Sequence, residues 1–142
     1  MAALNKTAAE ILPDFPVSAC TDVTGFGLLG HLCEMIEGTG RRVLVDSGAV
    51  PMLAEAREFA AIGLVPAGAH NNRKFRENMV TMPTGFDPIV RDIFFDPQTS
   101  GGLLFGCDGK TAGELCRRLQ DAGVLAANIG LVAGGPEGIV IQ

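Results

Sequence analysis

The residues best placed to do chemistry sit in Ala19-Cys20-Thr21-Asp22-Val23-Thr24-Gly25-Phe26-Gly27-Leu28-Leu29-Gly30-His31. A short apolar run leads to one carboxylate, then to two glycines, then to an amphipathic helical pattern. A helix N-terminus offers backbone N–H groups and a partial positive charge to a phosphate. A carboxylate beside it can hold a magnesium ion that the phosphate also binds. Magnesium takes oxygen ligands, keeps several waters and needs only one or two carboxylates from protein. Asp22 is the candidate metal ligand. Thr21 and Thr24 can add hydroxyl contacts, and Gly25 and Gly27 lack the Cβ atoms that would keep a phosphate off the backbone. The competing reading is that Asp22 caps the helix and the glycines permit a turn.

A second string, Asp96-Pro97-Gln98-Thr99-Ser100-Gly101-Gly102-Leu103-Leu104, follows in the same chain. Pro97 stops the preceding helix, and the paired glycines come just before an apolar strand. Either this loop packs its backbone against the Asp22 junction, where glycine allows close approach, or Thr99 and Ser100 face a substrate cavity. The packing reading is favoured.

Together and in this order, the two strings resemble the C-terminal domain of the selenophosphate synthetase (selenide, water dikinase) family, from about Leu4 onward. The resemblance implies an ATP-dependent phosphotransferase that makes selenophosphate from selenide, ATP and water. Asp22 then matches an aspartate that binds the magnesium ions on ATP. The resemblance also implies an N-terminal domain carrying a nucleophilic Cys or selenocysteine, its partner Lys and most ATP contacts. Residues 1–142 are expected to be a single domain, inactive alone, that works with that half in a homodimer. Gly68-Ala69-His70-Asn71-Asn72 falls where the family has a glycine-rich loop ending in Arg-Asn; Asn72 matches, whereas Asn71 replaces the basic residue.

Other polar residues read more plainly. His70 is expected on an exposed loop, and His31 on the polar face of its helix in a surface or capping role. Asp46 and Asp108, each followed two or one residues later by glycine, read as turn residues. Cys20 has no cationic sequence neighbour to lower its pKa and reads as core. No G-x-S-x-G, Walker-type G-x-x-x-x-G-K or H-E-x-x-H string is present.

Composition narrows the class. The 142 residues carry 47% apolar side chains, a net charge of −5, and neither Trp nor Tyr. The acid balance and missing stacking residues argue against a nucleic-acid partner. Four cysteines without C-x-x-C spacing and only two histidines argue against zinc. No segment reads as long and apolar enough to span a bilayer, so a cytoplasmic protein without a membrane partner is expected.

The elements that must position Asp22 follow from periodicity and punctuation. Helices are expected over 4–12, 27–37, 51–60 and 87–95, the last with Asp87 as N-cap and Pro88 at the first position. A Thr111…Glu114 capping box predicts one more, reaching Gly123. Residues 64–72 read as loop, and 73–79 as one or two helical turns. Strands are expected over 17–20, 42–46, 103–107, 128–133 and 138–142, the last two as a hairpin across Gly134–Glu137. This predicts an α/β fold, a mixed sheet of about five strands flanked by helices, like the C-terminal domain of the aminoimidazole ribonucleotide synthetase-like superfamily. Two rival functions remain. One is the equivalent domain of a related synthetase, of the aminoimidazole ribonucleotide or hydrogenase-maturation type. The other is a non-catalytic interaction domain.

Overall fold

The computed structural model describes residues 4–142. Among the described residues, six strands fall into two sheets. β1 (Val17–Asp22) pairs antiparallel with β4 (Leu103–Cys107), placing Asp22 opposite Leu103. The second sheet holds β2 (Arg42–Val45), β3 (Val80–Thr81), β5 (Gly130–Ala133) and β6 (Gly138–Ile141), in the order β3-β6-β2-β5. β6 runs parallel to β2 and β3, while β5 runs antiparallel to β2. The fold is therefore α/β with mixed strand directions, as the alternating pattern predicts, but its strands are divided between two sheets.

Each sheet has its own apolar layer. Helices α1 (Lys6–Ile11) and α6 (Gly109–Asp121) cover the two-stranded sheet: Ala8, Leu12, Leu115 and Leu119 are buried against Val17, Leu103 and Phe105. Helices α2 (Gly27–Ile36) and α5 (Pro88–Phe94) cover the larger sheet, where Leu29, Cys33, Val45, Phe94, Phe95 and Ile139 are almost wholly buried. Burying such a side chain contributes about 1.5–3 kcal/mol. The span from Asp22 to Gly27 thus connects the strand of one layer to the covering helix of the other.

Several expectations are corrected. β5 and β6 form no hairpin, because β2 lies between them. Ile139 and Ile141, which share one face, are buried against the core, and Gly138 is buried too, as suits a strand inside a sheet. The connector Gly134–Glu137 instead wraps the start of β2. There Arg42 Nε donates to the Pro136 carbonyl, and the Gly40 N–H donates to the Glu137 carboxylate at 2.7 Å. The N–H groups of Gly40 and Gly38 hold that carboxyl below its usual range. The 51–60 helix is α3 (Ala54–Ala61), so Pro51 does not open it. The 64–72 loop is largely helix, since α4 runs Ala67–Arg76; tertiary burial of Ala69 and Asn72 overrides weak local propensity. The Thr111–Glu114 capping box does not form. Asp108 is the N-cap of α6, accepting from the Lys110 N–H at 2.9 Å. The two-residue strand β3 carries too little pattern to be seen in sequence.

Candidate functional site

Asp22 is the last residue of β1 and is exposed. Among the described residues, no hydrogen bond or ion pair engages its carboxylate. It does not cap α2: the N-cap is Phe26, which makes no side-chain cap bond. β1 pairing with β4 fixes the backbone that carries Asp22. Alternation along the strand sends Thr21 to the opposite face, where its hydroxyl donates to the Asp22 carbonyl at 3.3 Å. Thr21 and Asp22 are therefore not brought together through their side chains, whereas Thr24 and Gly25 follow Asp22 on the way to α2.

The second string is the mould for this junction. The Val23 N–H donates to the Gly102 carbonyl at 2.9 Å, and the Gly101 N–H donates back to the Val23 carbonyl at 3.0 Å. The Thr24 carbonyl accepts from Gln98 N–H at 2.9 Å and from Gly27 N–H at 3.1 Å. A Cβ on Gly101 would lie 2.8 Å from the Val23 carbonyl oxygen. One on Gly27 would lie 2.7 Å from the Phe95 carbonyl carbon, at a φ of +70° that L side chains avoid. Gly27 thus serves close packing of two backbones. Gly25 is exposed with open space around it, so it remains the glycine beside which an anion could approach. Thr99 is exposed and Ser100 half-buried.

Three residues depart from their sequence reading. Asn72 is buried, and its Nδ2 donates to the Gly25 carbonyl at 2.9 Å and the Phe95 carbonyl at 3.0 Å, tying the first string and the end of α5, just before the second string, to α4. A Cβ on Gly68 of the same helix would lie 2.6 Å from the Pro97 ring. His31 is not a surface residue; it is 8% exposed and lies between Thr24 Oγ1, at 3.1 Å from Nε2, and Glu34 Oε2, at 3.0 Å from Nδ1. The i,i+3 spacing of His31 and Glu34 was visible in sequence, but the burial of that edge of the helix was not. Cys20 is exposed rather than core. Partial burial, and then the Asp22 carboxylate nearby, push its thiol up from its ordinary pKa. His70 is exposed, as expected, though on α4. Asp46 forms the expected turn, accepting from Gly48 N–H at 2.9 Å.

Asp96 was not singled out by sequence. One carboxylate oxygen accepts from Gln98 Nε2 at 2.8 Å, while the other, Oδ1, is buried without a partner among the described residues. Burial raises its pKa, against the smaller lowering effect of Gln98.

No group of three or more His, Cys, Asp or Glu side chains converges to hold a metal among the described residues. The donor set would fit a magnesium ion only if it were shared: Asp22 offers one open carboxylate, and the remaining ligands would come from outside these residues. Two concavities of about 480 and 510 Å³ lie elsewhere. Arg73, Arg91 and Met82 help line one; Ser47, Arg57 and Thr84 help line the other. No described helix is long and apolar enough to cross a membrane.

Comparison with known proteins agrees with this architecture. A relative from Pelobacter propionicus named selenide, water dikinase is 46% identical over 144 residues, covering 100% of this chain and 41% of its own. One of the same name from Geobacter metallireducens is 40% identical over 141 residues, covering 99% of this chain and again 41% of its own. The chain thus spans about two fifths of the length of these relatives. The solved structure of a thiamine-monophosphate kinase from Stenotrophomonas maltophilia matches 92% of this chain and 33% of its own, with a TM-score of 0.62 at 18% identity, a likeness of fold. All of residues 1–142 match the family described as AIR synthase related protein, C-terminal domain, and the chain belongs to that family.

Proposed function

We propose that residues 1–142 act as one domain, the C-terminal part of a cytoplasmic selenide, water dikinase that makes selenophosphate from selenide, ATP and water. The observation that carries this is the free, outward carboxylate of Asp22, held at a strand end beside the open Gly25 turn. It occurs in a chain similar along its whole length to proteins of that name. When bound, magnesium would neutralise and orient the nucleotide phosphates. Asp22 supplies it with carboxylate oxygen. Gly25 leaves room for the phosphate to approach, Thr24 stands between Asp22 and that opening, Gly27 sets the turn, and Thr21 lies on the other face of the strand. The N-terminal domain brings the nucleophile and most ATP contacts.

Magnitudes support a shared site. A helix N-terminus contributes roughly 0.3–1 kcal/mol toward an exposed anion, whereas millimolar affinity needs about 4 kcal/mol. Residues 1–142 alone therefore bind Mg-ATP more weakly than about 1 mM and are inactive. The exposed Leu53, Phe59, Ile62 and Leu64, on and around α3, supply apolar surface that a second domain or subunit would cover.

The test is a chimera in which this chain replaces the matched segment of the Pelobacter propionicus relative. Selenophosphate formation that is lost on Asp22→Asn supports the reading. A folded chimera without turnover, or one indifferent to Asp22→Asn, refutes it.

A further inference from the structure

The buried imidazole of His31 joins two groups of opposite character. Its Nδ1 faces the Glu34 carboxylate at 3.0 Å, and its Nε2 faces the Thr24 hydroxyl at 3.1 Å. The Phe26 ring packs beside it, centroids 5.5 Å apart. An ionised carboxylate only accepts hydrogen bonds, so Nδ1 carries a proton. In the neutral ring Nε2 is then a bare lone pair, and the Thr24 hydroxyl must donate to it. That leaves the oxygen of Thr24, on a half-buried residue, with acceptor capacity only. The Thr24 carbonyl is pinned as well, by Gln98 and Gly27, so the residue has little freedom to turn.

We propose that Glu34 and His31 are positioning residues that make Thr24 a hydrogen-bond acceptor beside Asp22. Thr24 then receives a donor, a water held on the magnesium ion, and does not donate to a phosphate oxygen. This role for Thr24 rests on the reading of Asp22 given above; the Glu34–His31–Thr24 relay does not. A histidine needing only satisfaction could take any two partners. Here one partner is the hydroxyl two residues beyond the candidate metal ligand. Ligands and the groups that orient them act together at metal sites, where loss of an orienting partner costs roughly tenfold or more in affinity or activity.

The first measurement is nitrogen NMR of the histidine rings in residues 1–142 at alkaline pH, with His70→Asn assigning the second ring. His31 is expected as the Nδ1–H form with a hydrogen-bonded, unprotonated Nε2. Glu34 is half in solvent, so replacing it leaves the core intact. Glu34→Ala is expected to shift the ring toward the Nε2–H form, and Glu34→Gln, which keeps an acceptor oxygen, to restore it. Thr24→Ser is expected to keep the Nε2 hydrogen bond, and Thr24→Val to lose it. A wild-type ring in the Nε2–H form, or a ring unmoved by Glu34→Ala, overturns the relay.

The second measurement is the magnesium requirement of the chimera. Glu34→Ala is expected to raise the concentration giving half-maximal rate roughly tenfold, with Glu34→Gln closer to wild type. An unchanged requirement in Glu34→Ala overturns the role of Thr24. Full turnover in Asp22→Asn would refute the metal reading and the water contact with it, while the ring spectra still decide the relay.

Discussion

The side-chain amide of Asn72 holds the carbonyl of Gly25 at 2.9 Å, across 47 residues of sequence. Through its second bond, to Phe95, it fastens the Asp22 junction and the end of α5, just before the Asp96 loop, to one helix. Both acceptors are backbone carbonyls, so only a donor of this length satisfies them. Asn72→Ala strands them and is expected to cost about 2–4 kcal/mol of stability. Asn72→Asp places an acceptor against acceptors and is expected to cost more near neutral pH. Urea unfolding of both variants checks the order; equal midpoints with wild type would refute it.

Gly25 and Gly27 look alike in sequence and differ in what they permit. Gly27→Ala meets the Phe95–Asp96 backbone at a positive φ and is expected to cost about 2–4 kcal/mol. Gly25→Ala enters open space and is expected to change stability by less than about 0.5 kcal/mol. In the chimera, however, Gly25→Ala is expected to weaken ATP use, since the new methyl stands where the anion would approach. Thermal melts paired with ATP titration separate the two effects.

Cys20 is exposed, yet its thiol is pushed up by partial burial and by Asp22. A raised pKa means less thiolate at any pH below it, hence slower alkylation than an unperturbed cysteine. Asp22→Asn removes the second cause, so Cys20 in that variant is expected to react faster at pH 8. The pH at which its rate is half-maximal should move down, as mass spectrometry of iodoacetamide-treated protein can follow. No change would mean that the two side chains do not sense each other.

Asp96 has the opposite kind of exposure problem, with one oxygen buried and unpaired among the described residues. Its folded-state pKa lies above the ordinary carboxylate value, so the native state binds the proton more tightly than the unfolded chain does. Stability through this group is therefore greatest at acid pH and falls as pH rises through the shifted value. Asp96→Asn removes that fall. Its melting temperature relative to wild type is expected to improve from pH 4 to pH 7. A constant difference across that range would contradict the assignment.

How much of this was legible beforehand depended on whether the cause was local. Asp87–Pro88 at the start of α5 and the apolar run of α2 announce themselves within a few residues. So does the strand bearing Asp22, although it extends two residues further than its apolar run suggested. The paired glycines favour packing of the Asp96 loop against the Asp22 junction, and the backbone bonds of Gly101 and Gly102 with Val23 bear that out. What escaped depends on partners far away. Asn72 sits in helix because distant carbonyls and Pro97 cover that stretch. β5 and β6 are separated by a strand from residues 42–45. None of these can be read within one window of sequence.

The placement of residues 138–141 between β2 and β3 has a consequence for synthesis. Until that segment leaves the ribosome, Val80–Thr81 has no ladder to join, and Arg42–Val45 can pair only with residues 130–133. The apolar sides of α2 and α5 have been made long before, with an incomplete surface to rest on. Such a nascent chain exposes Leu29 and Phe94 for the several seconds that translating the intervening residues takes, at roughly 5–20 residues per second, and exposed apolar surface of that kind is prone to aggregate.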